Sequence, residues 1–128
     1  MPMVRISLLE GRSAADRAAI GDAVHQAMVE TINVPADDRF QVITEHPKAA
    51  LIWDAKYLGI ARGEGFVLIQ ITLNQGRTLE MKRALYKRIA ERLAASPGIR
   101  KEDVMVNLVE VPKENWSFGN GEASYAKS

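Results

Sequence analysis

The feature that most constrains the fold of this chain is an internal repeat with an offset of 65 residues. Shifting the first half of the chain by 65 positions superimposes five pairs of identical residues: Gly11 and Gly76, Arg12 and Arg77, Asp38 and Asp103, Glu45 and Glu110, Pro47 and Pro112. Each pair falls at the same place in the pattern of apolar and polar residues, which chance does not readily produce. The sequence therefore predicts two copies of one unit, at about 2–47 and 67–112, joined by a connecting segment at 48–65.

The first unit has the pattern of a strand, a helix and a second strand. Met3–Leu9 is short and rich in apolar residues, and it ends at a glycine-containing turn, as a strand does. Ser13 is a plausible N-cap, with Asp16 three residues later as its capping-box partner. Apolar residues then recur at helical spacing to about Thr31, and 40–44 reads as the second strand.

The second unit repeats this order. It has a strand at 66–73, a helix that ends at Ser96-Pro97-Gly98, and a strand at 104–109. The apolar stripe of the helix is formed by Met81, Leu85, Ile89 and Leu93. Two β-α-β units with right-handed crossovers predict an α+β fold, with a four-stranded mixed sheet and both helices on one face. The other face of such a sheet needs cover, so we expect an oligomer.

The connecting segment has no counterpart in the repeat. It contains a possible short strand at Leu51–Trp53 and a polar run at 62–65. A connection of this length is commonly a lid, a binding loop or a subunit contact. An edge hairpin that packs on the core is an equally good interpretation.

Length and composition limit the number of domains and the classes of ligand. We expect the 128 residues to form one domain over 1–128. With 17 basic and 16 acidic side chains and a net charge of +1, the chain has no electrostatic footprint for nucleic acid or an anionic membrane. It has no cysteine, and His25 and His46 lie in unrelated contexts, so no metal site is expected. We expect His25 on the exposed side of the first helix. Without a membrane span or a signal sequence, the expected location is the cytoplasm.

Pro2 is the first candidate for chemistry. Removal of Met1 would leave a proline with a free secondary amine, whereas a peptide-bonded proline nitrogen has no N–H. An α-amino group titrates at about pH 7.7–8.0, and burial lowers that value because desolvation disfavours the cation. Such an amine is suited to general base catalysis near neutral pH. Many chains begin with Met-Pro and have no such chemistry. The repeat adds that Pro2 aligns with Val67, at the free end of an inner strand, and it places Pro2 beside the turn at 74–77 if the first and third strands are neighbours.

Several motifs together give the chain a family likeness. They are Leu9-Glu10-Gly11-Arg12, the run 34–40 that contains Asp38, Leu58-Gly59, Glu110, and Trp116-Ser117-Phe118-Gly119. With the amino-terminal Pro2 and the doubled β-α-β unit, they resemble the tautomerase superfamily, and within it the malonate semialdehyde decarboxylase-like branch. The resemblance extends from Pro2 to about Tyr125 and so covers nearly the whole chain.

The resemblance implies a function and its residues. Members use the amino-terminal proline as a general base or acid without a cofactor and typically assemble as trimers, so Pro2 would be catalytic here. Asp38 would orient water or tune the proline, and Arg77 would hold the carboxylate of a small 2-oxo or 3-oxo acid. Trp116 and Phe118 would line the pocket. Each residue also has a structural interpretation: Asp38 as a turn residue, Arg77 as a counterpart of Arg12, and the two aromatic residues as a plug in an oligomer core.

The sequence departs from the decarboxylase pattern at one position. That branch has Arg-Pro-Arg where this chain has Gln75-Gly76-Arg77. By this alignment Gln75 is a candidate substrate-binding residue, but its neutral amide replaces a cation. A lost charge-assisted contact disfavours decarboxylation of a short 3-oxo acid and leaves keto–enol isomerisation of a 2-oxo acid as the favoured reaction. Two alternatives remain open. A cationic Pro2, with Asp38 activating water, would give a decarboxylase or hydratase, and the scaffold could also be a non-catalytic oligomeric binding module.

Overall fold

The computed structural model describes residues 2–125. Its main elements are β1 (Met3–Leu9), α1 (Ala14–Thr31), β2 (Gln41–His46), β3 (Val67–Asn74), α2 (Leu79–Ala95) and β4 (Val104–Val111). The predicted β-α-β repeat is therefore confirmed, with the strand boundaries moved by one to two residues.

The four strands form one sheet in the order β2-β1-β3-β4. Each β-α-β unit contributes a parallel pair, and the two units meet through the antiparallel pair of β1 and β3. Met3 lies opposite Thr72, and Val4 lies opposite Gln41. The start of β1, the start of β2 and the end of β3 consequently meet at the same end of the sheet. This arrangement places Pro2 beside the β3–α2 turn.

Both helices pack on the same face of the sheet, as the side-chain alternation of the strands requires. Val4, Ile6 and Leu8 of β1 point into this core, whereas Arg5 points to the opposite face and is exposed. Burying one such aliphatic side chain stabilises the fold by roughly 1.5–3 kcal/mol. From the other strands and the helices, the core also contains Ile20, Val24, Met28, Ile69, Ile71, Leu85, Ile89 and Leu93.

The two units also repeat their helix starts. The Ser13 hydroxyl accepts a hydrogen bond from the Asp16 N–H at 3.0 Å, and Thr78 accepts one from the Met81 N–H at 3.2 Å. These bonds satisfy donors that the first helical turn leaves unpaired. The Asp16 side chain, predicted to complete a capping box, instead lies 3.4 Å from the Arg12 guanidinium.

The turns before the helices explain two of the repeated glycines. Gly11 has a φ of 113° and Gly76 a φ of 118°, a region that other residues enter only with strain. The N–H of Gly11 donates to the Glu45 carboxylate at 3.2 Å, and Glu110 bonds the backbone of Gly76 in the second unit. The coincidences at an offset of 65 therefore reflect one turn that is built twice.

The connecting segment differs from what the sequence predicts. It contains two short 3-10 turns, Lys48–Ala50 and Tyr57–Gly59, and the described residues form no strand at 51–53. Trp53 leaves the strand pattern because its ring stacks on Phe66, with 5.1 Å between centroids. The Gly63 N–H donates to the buried Asp103 carboxylate at 2.7 Å, which fixes the segment to the second unit.

His25 is buried, with a relative exposure of 6%, so the expectation of an exposed side chain is wrong. The loop at 32–40 folds back over this side of α1. The His25 Nε2 lies 2.8 Å from the Ala36 carbonyl oxygen. Helical periodicity alone does not predict that His25 is buried, because the residues that cover it lie in the loop after the helix.

Candidate active site

The structure brings Pro2 and Asp38 to the same end of the sheet. Pro2 is buried directly before β1, and Asp38 lies three residues before β2 with a relative exposure of 6%. Because β1 and β2 are parallel, their preceding residues lie side by side. The Asp38 N–H donates to the Pro35 carbonyl at 3.0 Å, so a tight turn presents the carboxyl group. Met1, whose removal would free the Pro2 amine, lies outside the described residues.

The carboxyl group of Asp38 has a raised pKa. Burial raises the pKa of its carboxyl group above the ordinary value of 3.8, because desolvation disfavours the anion. The positive charge of the amino terminus opposes this shift, Asp37 adds to it, and His25 opposes it. The pKa of Asp38 is therefore set first by burial and then by the charges around it.

Arg77 lies in the turn after β3 and is held by main-chain carbonyl groups. Its Nη1 donates to the Asn74 oxygen at 3.0 Å, and its Nη2 donates to the Ile32 oxygen at 3.4 Å. The guanidinium is half-buried and keeps further N–H groups for other partners. Its repeat mate Arg12 contacts the Asp16 carboxylate and the first helix instead.

Gln75 precedes Arg77 and has an exposed side chain. Its main-chain N–H extends the β3–β4 ladder by donating to Val111 at 3.0 Å. A cleft of about 350 Å³ adjoins the turn, and its lining includes Asn33, Gln75, Arg77 and Lys113. Three amide-bearing residues, counting Asn74, and two cationic residues border this cleft, which suits a small anionic ligand.

The carboxyl-terminal aromatic residues form a cluster around Phe118. The Trp116 ring stacks on Phe118 with centroids 5.2 Å apart, and the Tyr125 ring meets it edge-on at 5.4 Å. Phe40, which links the Asp38 turn to β2, lies 6.2 Å from Phe118. The predicted pair of Trp116 and Phe118 is therefore linked to the Asp38 turn through Phe40, which was not predicted as a site residue.

Asn74 and Tyr125 are further residues of the site that were not predicted. The buried Asn74 accepts a hydrogen bond from the Trp116 indole at 2.7 Å. Burial, and then the charge of Asp38, raise the pKa of the Tyr125 phenol, while the Asn74 side chain and Arg77 oppose the rise. Tyr125 thus lies within the electrostatic reach of both Asp38 and Arg77.

A signal for Asn74 was present in the repeat. At the offset of 65 residues, the polar Asn74 corresponds to the apolar Leu9. A buried polar group in place of an apolar one needs a hydrogen-bond partner, and here Trp116 supplies it. Tyr125 had no comparable signal, because the tail after 112 has no counterpart in the first unit.

The described part of the chain offers no cluster of three or more histidine, aspartate or glutamate side chains that could hold a metal ion. Within the same residues, neither helix is long and apolar enough to span a bilayer.

Comparison with known sequences agrees with these features. A family model described as tautomerase enzyme matches residues 38–119, and a second model with the same description matches residues 2–59. The probable tautomerase YusQ of Bacillus subtilis (strain 168) is 46% identical over 123 residues, which are 96% of this chain and 97% of that protein.

Solved structures share the fold. The FG41 malonate semialdehyde decarboxylase, solved after inhibition by 3-bromopropiolate, superimposes with a TM-score of 0.90 and 40% identity over 96% of this chain and 93% of its own. The symmetric trimer of a fused 4-OT, Q0, has a TM-score of 0.78 and 28% identity over 97% of this chain and 99% of its own.

Proposed function

This chain belongs to the tautomerase family, and from that premise we propose that it is a cofactor-free tautomerase that interconverts the enol and keto forms of a 2-oxo acid. The observation that carries the proposal is the meeting of Pro2, Asp38 and the Phe118 cluster at one end of the sheet. Arg77 lies in the turn at this same end. A base, an acid, a cation and an apolar wall suffice for proton transfer within a small carboxylate.

In the proposed reaction, the neutral Pro2 amine accepts the proton of the 2-hydroxyl group of an enol acid. The enolate then regains a proton at carbon 3, so the amine returns to its neutral state and the product is the 2-oxo acid. The π bond moves from between carbons 2 and 3 to between carbon 2 and its oxygen, and the only σ bonds made or broken are those to hydrogen. A base of this kind typically contributes about 10²–10⁴-fold to the rate.

Asp38 stabilises the protonated form of the Pro2 amine in this scheme. When Pro2 holds the transferred proton it is a cation, and the buried Asp38 carboxylate at the same end of the sheet favours that state. The tight turn at Pro35 fixes the direction from which the charge acts. Asp38 therefore stabilises the protonated intermediate and helps to keep the proton within reach of carbon 3.

Arg77 and the aromatic residues hold the substrate. The N–H groups of Arg77 that do not bind main-chain oxygens are available to a carboxylate, for which a guanidinium has a matching planar geometry. The rings of Trp116, Phe118 and Tyr125 shield the reacting atoms from water. Exclusion of water strengthens the electrostatic contacts of the site.

The test is to block the amine while leaving the fold intact. A variant with one additional residue before Pro2 converts its nitrogen into an amide, which is not a base. We expect at least a hundredfold loss of kcat/KM for phenylenolpyruvate in this variant. Unchanged turnover would refute the proposal. The variant Pro2→Ala is a less decisive comparison, because it retains an amino-terminal amine.

A second candidate is a decarboxylase or hydratase of 3-oxo or unsaturated acids. The likeness to FG41 malonate semialdehyde decarboxylase favours it, while Gln75 in place of an arginine counts against it. Such an activity would use a cationic Pro2 and water activated by Asp38. Release of carbon dioxide from malonate semialdehyde, faster than phenylenolpyruvate turnover, would establish this reaction instead.

We further propose a homotrimer. The exposed apolar residues Ile52 and Leu58, at 86% and 76% relative exposure, border a groove of about 560 Å³ beside Met105 of β4. Large exposed apolar patches mark interaction surfaces, and the fused 4-OT forms a trimer. Light scattering at several protein concentrations should give three times the chain mass of 14.2 kDa. A monomer at all concentrations would refute this assembly.

A further inference from the structure

We propose that His25 is a positioning residue, which holds the turn at 35–38 through the Ala36 carbonyl and so directs Asp38 toward the amino terminus. The inference rests on the proposed function in so far as Asp38 serves catalysis. It concerns a side chain that does not line the substrate site. Its basis is the hydrogen bonding and burial of the loop between α1 and β2.

The hydrogen bond defines the state of the ring. The His25 Nε2 lies 2.8 Å from the Ala36 oxygen, and a carbonyl oxygen only accepts. Nε2 must therefore carry the proton, so the neutral ring is the Nε2–H tautomer. The ring is 6% exposed, and a hydrogen bond shielded from water in this way is hard to replace by solvent.

Packing does not account for the shape of this turn. Val34 and Asp38 are buried, but the three residues between them, Pro35, Ala36 and Asp37, are exposed. The bond from Asp38 N–H to the Pro35 oxygen closes the turn internally and does not attach it to the helix. The His25 bond joins the exposed tip to α1 and supplies that attachment.

Other contacts fix the two ends of the loop. The Val34 N–H donates to the Met28 oxygen at 3.4 Å, and Arg39 forms an ion pair with Asp22 at 2.8 Å. His25 contacts the loop between these ends, so its bond decides the conformation of the central residues. That conformation sets the direction of the Asp38 carboxyl group, which the mechanism requires.

Two substitutions separate the hydrogen bond from the other properties of the ring. His25→Gln keeps an N–H donor at similar reach and cannot ionise, whereas His25→Leu has similar bulk and no donor. We expect His25→Leu to lower kcat for phenylenolpyruvate about tenfold with little change in KM, since the effect of a single hydrogen bond is of this order. His25→Gln should restore most of the wild-type rate.

A second readout does not depend on activity. The Asp38 amide is protected by its bond to the Pro35 oxygen, so its hydrogen exchange reports opening of the turn. We expect about tenfold faster exchange at Asp38 in His25→Leu and near wild-type exchange in His25→Gln. Val24→Ala is the matched control, because Val24 lies on the same helix, is fully buried in the core and has no hydrogen-bonding side chain.

Each outcome decides the inference. Unchanged exchange at Asp38 in His25→Leu would overturn it, as would equal impairment of His25→Gln and His25→Leu. Equal acceleration in Val24→Ala would show a general loss of stability and would also overturn it. If the extended amino terminus leaves turnover unchanged, the proposed function fails, whereas the exchange data still decide whether His25 positions the turn.

Discussion

The indole N–H of Trp116 donates to the Asn74 side-chain oxygen over 2.7 Å, and this bond joins the carboxyl-terminal tail to the end of β3. Asn74 also presents its main-chain oxygen to Arg77 at 3.0 Å. One residue thus orients both the aromatic cluster and the cationic turn. Because β3 is a central strand with a well-packed core beneath it, the tail is held on a rigid support.

A double-mutant cycle should detect this link. Asn74→Ala leaves the indole donor without its partner, while Trp116→Phe retains a ring without the donor. We expect a coupling free energy of about 0.5–1.5 kcal/mol between the two substitutions in urea unfolding at a fixed protomer concentration. Additive losses would show that the bond contributes nothing to the stability of the tail.

Arg77 is expected to have two roles, which substitution by lysine separates. Arg77→Lys keeps a positive charge but loses the geometry that serves Asn74, Ile32 and a substrate carboxylate at once. We expect KM for phenylenolpyruvate to rise about tenfold or more, with a loss in unfolding free energy of about 1 kcal/mol.

The repeat provides the control for this variant. Arg12→Lys changes the equivalent turn of the first unit, where the guanidinium pairs with Asp16. It should leave KM unchanged. If Arg77→Lys alters stability alone, like Arg12→Lys, then Arg77 is a structural residue and does not anchor the carboxylate.

We expect the Asp38 carboxyl group to lower the stability of the fold at neutral pH while it supports catalysis. The folded-state pKa of its carboxyl group is raised above 3.8, so the native protein binds this proton more tightly than the unfolded chain does. The resulting stabilisation is complete below pH 3.8 and is lost as the pH rises through the folded-state pKa. Asp38→Asn should therefore be more stable than the wild type at neutral pH, with the difference disappearing in acid.

The same variant should lose catalysis, with kcat/KM reduced about a hundredfold. Asp103→Asn is its matched control, because Asp103 is the repeat mate and its carboxylate bonds the Gly63 N–H and Arg100. That substitution should lower the stability at neutral pH and spare the chemistry. Thermal unfolding between pH 3 and pH 8 distinguishes the two, and a destabilised Asp38→Asn would contradict the assignment.

The fold was predictable because the repeat encodes it twice. Local signals in the sequence mark the same turn twice. Glycines stand at 11 and 76, where φ is positive, and hydroxyl residues cap the helices at 13 and 78. Alternation along β1 and β3 shows which face is buried. The sequence predicted Pro2 beside the β3–α2 turn on the condition that the first and third strands are neighbours, and the antiparallel pairing of β1 and β3 meets that condition.

What escaped prediction depends on contacts between distant segments. His25 is covered by a loop eleven residues later, and Trp53 stacks on Phe66, so neither local propensity nor periodicity reports these contacts. Tyr125 joins the site through a tail that lacks a repeat counterpart. Arg77 was predicted as a site residue, but its bonds to main-chain oxygens depend on the approach of the end of α1.

The intact mass of the purified protein shows whether the amine of Pro2 can be the catalytic base. A peptide-bonded proline nitrogen has no basic lone pair, so catalysis by Pro2 requires a chain that begins at this residue. We expect a mass lower than that of the full sequence by one methionine residue, in a preparation that turns over phenylenolpyruvate. An active preparation that retains Met1 in full would contradict it.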